Sequence, residues 1–109
     1  MTKREQYVQW YRTGAGRAWY EKRNRQRREW LDMVKVAFGC FDCGYDDNPR
    51  ALEFDHIGPR GDKRHCISTM VTGGWGALLA ELEKCEVRCA NCHSIASHER
   101  NQYSNRETA

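Results

Sequence analysis

Apolar side chains recur at helical spacing near the start of the chain. Tyr7, Trp10 and Tyr11 stand at i, i+3 and i+4, which predicts a helix over residues 3–13 that Gly14 and Gly16 interrupt. From Ala18 the sequence is again helix-compatible but dense in charge through Arg28. Beyond it Trp30, Met33, Val34, Ala37 and Phe38 form an apolar stripe expected to face the core, with Gly39 as the stop. Residues 51–57 read as a strand with Leu52 and Phe54 inward, and residues 65–68 as its return strand across a long, glycine-punctuated connection. Gly73 and Gly74 break the chain before Trp75, Leu78, Leu79, Leu82 and Cys85, a second helical core stripe. A final helix is expected to start between Ala90 and Cys92 and to end near Asn101, ahead of a polar tail, residues 102–109.

A chain of 109 residues is one domain and buries little apolar surface, so a metal staple is expected. Six cysteines bear on that point. The start, Met1-Thr2-Lys3-Arg4-Glu5-Gln6, leads into no apolar signal core, and no later stretch has the length and hydropathy of a membrane span. Paired cysteine spacing therefore favours metal over disulfides, in a reducing cytoplasm. The predicted division is a basic helical arm, residues 1–37, a body, residues 38–101, and the tail.

Charge separates the arm from the body. Residues 1–30 hold nine basic residues against three acidic ones, a net of +6, whereas the whole chain carries only +3. Such a run reads either as a solvated or disordered segment or as an arm that tracks phosphates through Arg23, Arg25, Arg27 and Arg28. Trp10, Tyr11, Trp19 and Tyr20 are interleaved with it, to stack on bases or to pack on the body.

Two Cys-x-x-Cys knuckles, Cys40-Phe41-Asp42-Cys43 and Cys89-Ala90-Asn91-Cys92, supply four thiolates, the closed tetrahedral set of a structural zinc. Cys66 and Cys85 fall on the predicted strand and stripe and read as buried thiols. Asp46 and Asp47 lie in turn chemistry around Asn48-Pro49 and read as a solvated turn. His93 is joined to the second knuckle, and Asp55-His56 closes the predicted strand between the knuckles.

In this order, Cys-x-x-Cys, Asp-His and Cys-x-x-Cys-His, the residues resemble the HNH endonucleases, particularly small phage and bacterial members with an embedded zinc clamp. The resemblance covers about Phe38 to His98, and the arm more weakly. It implies an α+β fold with a ββα-metal, treble-clef-like centre that hydrolyses DNA phosphodiester bonds, leaving a 5′ phosphate. It implies His56 as general base, and Asp55 and His93 as ligands of a catalytic divalent ion, Mg²⁺, Mn²⁺, Ni²⁺ or Zn²⁺. Imidazole titrates near neutrality and suits the first role; a hard ion suits carboxylate, imidazole and phosphate oxygens. The loop bearing Arg60, Lys63 and Arg64 would lie near the DNA backbone, the other reading being a merely solvated loop, and Arg88, Arg100 and Arg106 add phosphate contacts on charge alone. The implied partner is DNA, double-stranded, with no membrane.

The chain departs from the family pattern twice. The only asparagine between His56 and His93 is Asn91, inside the knuckle, so either another group, such as a backbone carbonyl, orients His56 or catalysis is impaired. His98 follows His93 at i+5, about 140° round a helix, and becomes a third ligand only if that helix ends or distorts. Adjacent strand residues also point to opposite faces, so Asp55 and His56 converge only if the strand bends or ends there. Two further readings stand beside the enzyme: a zinc-stabilised DNA-binding module without catalysis, and an accessory subunit of a phage DNA-packaging machine.

Overall fold

A computed structural model describes residues 1–108, and the side chains of residues 1–100. The fold is a small α+β arrangement of five helices and one two-stranded sheet among the described residues. The order is α1 (Lys3–Arg12), α2 (Ala15–Phe38), β1 (Leu52–His56), α3 (Ile67–Met70), α4 (Trp75–Leu82), β2 (Cys85–Cys89) and α5 (Ala90–Thr108), with short 3₁₀ turns at Pro49–Ala51 and Gly58–Arg60. Among the described residues no helix is long and apolar enough to cross a membrane.

The α1–α2 hairpin turns at Gly14, as predicted, but Gly16 belongs to α2 and does not interrupt it. A Cβ at Gly16 would stand 2.7 Å from the Trp10 ring and 2.8 Å from Tyr11 Cα, so the missing side chain is what lets the two helices meet. Tyr7, Trp10, Tyr11, Trp19 and Tyr20 pack against one another across that hairpin, with ring centroids 4.9–6.2 Å apart.

α2 continues unbroken from the arm into the body, but not on the stripe expected from its apolar residues. Met33 is 69% and Phe38 79% exposed, whereas Leu31, outside the stripe, is 5% exposed. The inward face runs through Arg23, Arg27, Leu31 and Lys35, four residues apart. Arg27 Nη1 donates to the carbonyls of Val71 (2.8 Å) and Gly73 (2.7 Å), and Arg23 Nη2 to Thr72 (3.0 Å). Arg27 also lies over the Trp75 ring, and Lys35 Nζ over Phe54. Long cationic side chains thus lay their stems along the body and give their charges to backbone oxygens, which a reading of apolar positions cannot see.

The strand that pairs with β1 is β2, antiparallel, with Leu52 opposite Cys89, Phe54 opposite Val87 and His56 opposite Cys85. The predicted return strand at residues 65–68 is therefore corrected. Ile67 and Val71, four apart and both buried, face Leu31 and Leu78 from the α3 segment, a helical spacing that a four-residue window cuts short. Cys85 lies in β2 rather than on the α4 stripe. It is half-buried, while Cys66 is exposed, so neither is the buried thiol expected. Within α4 the stripe is anchored by Leu78, fully buried, while Trp75 and Leu79 stay partly exposed.

Two small cores result: Leu31, Ile67, Val71 and Leu78 on one side, and Cys40, Leu52 and Val87 on the other. Phe54 packs against both. α5 begins at Ala90 as expected and continues to Thr108, past the predicted end at Asn101. The side chain of Arg106, with those of the predicted tail, lies outside the described residues.

Candidate metal clamp and histidine cleft

The first knuckle follows directly on the stop of α2. Gly39 N–H caps Lys35 O, Cys40 N–H then bonds Tyr45 O (2.8 Å), and Gly44 N–H bonds Cys40 O (2.9 Å). Gly44 takes φ +78°, the left-handed conformation this tight turn needs. Phe41 N–H donates to Val87 O (2.7 Å), which ties the knuckle to β2. The second knuckle forms where β2 passes into α5. The two are alike in detail: Cys43 N–H points at Cys40 Sγ (3.5 Å) and Cys92 N–H at Cys89 Sγ (3.4 Å).

The ligand atoms of Cys40, Cys43, Cys89 and Cys92 all lie within 4.8 Å of one another, and Cys43 Sγ is 3.7 Å from Cys89 Sγ. Tetrahedral zinc with bonds of about 2.3 Å separates its sulfurs by about 3.8 Å, so the four cysteines fit such an ion with no open position. Burial opposes ionisation of Cys40, yet N–H groups of Cys43, Cys89 and Asp42 outweigh it and bring the thiol down to about 6. The Cys92 thiol is pushed up, chiefly because it shares its proton with the neighbouring Cys89 and Cys40 sulfurs, and burial adds to this.

Beside the clamp lies a charged cluster centred on Asp55, whose side chain is buried at 3% exposure. Arg88 Nη1 donates to Asp55 Oδ2 (2.7 Å) and its Nε to Asp42 Oδ2 (2.9 Å), linking the first knuckle to the sheet. Those two carboxylates raise the Arg88 pKa against the lowering effect of burial. Arg100 Nη2 reaches both Asp55 oxygens at 3.0 Å, and its Nη1 reaches His56 O at 3.2 Å. His93 stands between two carboxylates: Nε2 is 3.3 Å from Asp55 Oδ1, and Nδ1 is 3.3 Å from Glu53 Oε1. What α5 brings to Asp55 is therefore His93 and Arg100. His98 is exposed further along the helix. Among the described residues the four cysteines are the only group of three or more His, Cys, Asp or Glu whose ligand atoms converge.

His56 points the other way. β1 stays regular through His56, so Asp55 and His56 leave the strand on opposite sides, Asp55 toward Arg88 and Arg100 and His56 toward α4. There His56 Nε2 lies 3.1 Å from Glu81 Oε1. Glu81 is 2% exposed and belongs to none of the sequence motifs. Its Oε1 also accepts from Arg64 N–H (3.0 Å), and its Oε2 from Lys84 Nζ (3.1 Å), which donates in turn to Asp62 O (2.9 Å). The Arg64 N–H is the main cause that holds the Glu81 pKa at about 2; burial opposes it, and Lys84 and His56 add to it. The signal was available, since Glu81 shares the Leu78, Leu82 face of α4, and an acid on an apolar stripe needs partners.

His56 and His93 nevertheless open on one cleft of about 370 Å³, whose walls include Glu53, Lys63, Arg28 and Lys35. Of the basic residues proposed for DNA, Arg28 and Lys63 line this cleft, and Arg25 and Arg64 are exposed. Arg23 and Arg27 dock α2 on the 71–73 turn, and Arg60 bonds Cys85 O and pairs with Glu86. No protein-family model, curated protein or solved structure matches the chain.

Proposed function

We propose that the protein is a metal-dependent DNA endonuclease of the HNH type, with β1, β2 and the start of α5 as its ββα-metal centre and a structural zinc in the four-cysteine clamp. The observation that carries this reading is the placement of His56 and His93, each held by carboxylates, on one cleft that Arg28, Lys35 and Lys63 line together with Asp32 and Glu53. The donors suit a hard divalent ion. His93 Nε2 and Asp55 Oδ1 are 3.3 Å apart, close to the roughly 3.0 Å between neighbouring ligands of an octahedral ion with bonds of about 2.1 Å. Asp55 and His93 would hold that ion through Oδ1 and Nε2, with Glu53 on Nδ1 orienting the imidazole; when bound, the ion supplies positive charge to the scissile phosphate and the leaving oxygen. His56 takes a proton from the attacking water, and Arg28 and Lys63 attract the phosphate backbone into the cleft.

One observation favours the non-catalytic DNA-binding module instead: both Asp55 oxygens already accept from Arg88 and Arg100. Conversion of supercoiled plasmid to nicked or linear forms decides between the two readings. Zinc-loaded protein is assayed with Mg²⁺, Mn²⁺ or EDTA beside His56→Ala of equal zinc content. Metal-dependent cutting lost in His56→Ala supports the nuclease; plasmid binding by both proteins without cutting under any metal supports the binding module or an accessory subunit.

A further inference from the structure

The group that orients His56 is absent from the motif, because the chain offers no asparagine for that place outside the second knuckle. We propose that Glu81 is the positioning residue of His56, fixing the tautomer with the proton on Nε2 so that Nδ1 is the nitrogen that accepts a proton. The part played by Nδ1 rests on the nuclease reading; the fixing of the tautomer does not.

The geometry carries the inference. An ionised carboxylate has no proton to give, so the 3.1 Å contact to Glu81 Oε1 requires His56 Nε2 to be the donor. A neutral imidazole then has its lone pair on Nδ1. Glu81 itself cannot turn away. It leaves the last turn of α4 into a site of 2% exposure, where Arg64 N–H and Lys84 Nζ also donate to it. Arg64 and Lys84 flank the loop that carries Lys63 on the cleft wall, so the same carboxylate holds both the histidine and the neighbouring cation in place.

In the reaction a water O–H bond breaks and its proton passes to Nδ1. The hydroxide oxygen bonds phosphorus, the P–O3′ bond breaks, and the departing oxygen takes a proton from solvent. Glu81 exchanges no atom in this sequence; it acts only through the imidazole.

The test uses the full chain with zinc bound: wild type, Glu81→Ala and Glu81→Gln. The deciding readout is the tautomer of His56 from long-range ¹H–¹⁵N correlations of its ring, assigned with His56→Ala. Wild type is expected to carry the proton on Nε2 and Glu81→Ala to show both tautomers. Glu81→Gln should keep the wild-type tautomer, because its amide oxygen can replace Oε1, while the Lys84 ammonium, a donor like the amide NH₂, gives up this contact and keeps its bond to Asp62 O. Plasmid cleavage should fall about 100-fold in Glu81→Ala and be largely restored in Glu81→Gln. A proton on Nδ1 in the wild type overturns the proposal, as does a Glu81→Ala protein with unchanged tautomer and cleavage. If Glu81→Ala does not fold, the wild type and Glu81→Gln still decide it. A wild type that cuts no plasmid sinks the nuclease reading, while the ring correlations still decide the role of Glu81.

Discussion

Arg100 and Asp55 join the middle of α5 to the end of β1: one guanidinium nitrogen sits 3.0 Å from each oxygen of a carboxylate that is otherwise held by Arg88. The two arginines are not equivalent. Arg88 is mostly buried and also grips Asp42, whereas Arg100 is about half exposed. Arg100→Ala should lower the unfolding free energy by about 1 kcal/mol, because solvent and Arg88 compensate for it. Arg88→Ala should cost about 3 kcal/mol or more, since it strips a buried charge of its better partner. Urea unfolding at constant zinc measures both, and equal losses would contradict this ranking.

The clamp should dominate stability. A structural zinc contributes on the order of 10 kcal/mol of binding free energy, comparable with the whole stability of a domain this size. One zinc per chain is expected by metal analysis, released by strong chelators with loss of the cooperative thermal transition. Cys40→Ser should abolish binding. Cys66→Ser should leave zinc content and melting temperature unchanged, because Cys66 lies outside the clamp and is exposed.

Acid should act through Glu81. Its pKa is held at about 2 against an ordinary 4.5, so its contribution is complete above about pH 4.5 and fades as the pH falls from there toward 2. Glu81→Gln lacks this titration. The stability gap between wild type and Glu81→Gln should therefore narrow steadily across that interval, and comparing the two at each pH cancels the acid sensitivity of the clamp. A gap that stays constant down to pH 3 would show that the carboxylate is not so held.

The arginines of α2 should divide into two groups. Arg27 donates two short bonds to Val71 and Gly73 and covers Trp75, so Arg27→Ala should destabilise the fold by about 2 kcal/mol. Arg25 is exposed, and Arg25→Ala should change stability by less than about 0.5 kcal/mol. On the proposed function, Arg28→Ala should weaken DNA binding and lower the salt dependence by about one counterion, read by fluorescence anisotropy across a salt series. Loss of binding in Arg27→Ala at full stability would instead place Arg27 on DNA.

What could be read from the sequence is what depends on neighbours along the chain. The two Cys-x-x-Cys turns, the end of α2 at Gly39, β1 with Leu52 inward and the start of α5 follow from short-range spacing, and each stands in the structure. The order of Cys-x-x-Cys, Asp-His and Cys-x-x-Cys-His likewise needs no coordinates to be seen.

Tertiary structure alone decided which segments meet. β1 pairs with residues 85–89 rather than 65–68 because that register sets Val87 and Leu52 in one core and brings the two knuckles together. α2 turns a cationic edge inward because the carbonyls of residues 71–73 are there to receive it. Glu81 reaches His56 across 25 positions, and Arg100 reaches Asp55 across 45. Such contacts form between charges that carry no periodic signal, and whether a charge is buried, paired or free depends on what the fold sets opposite it.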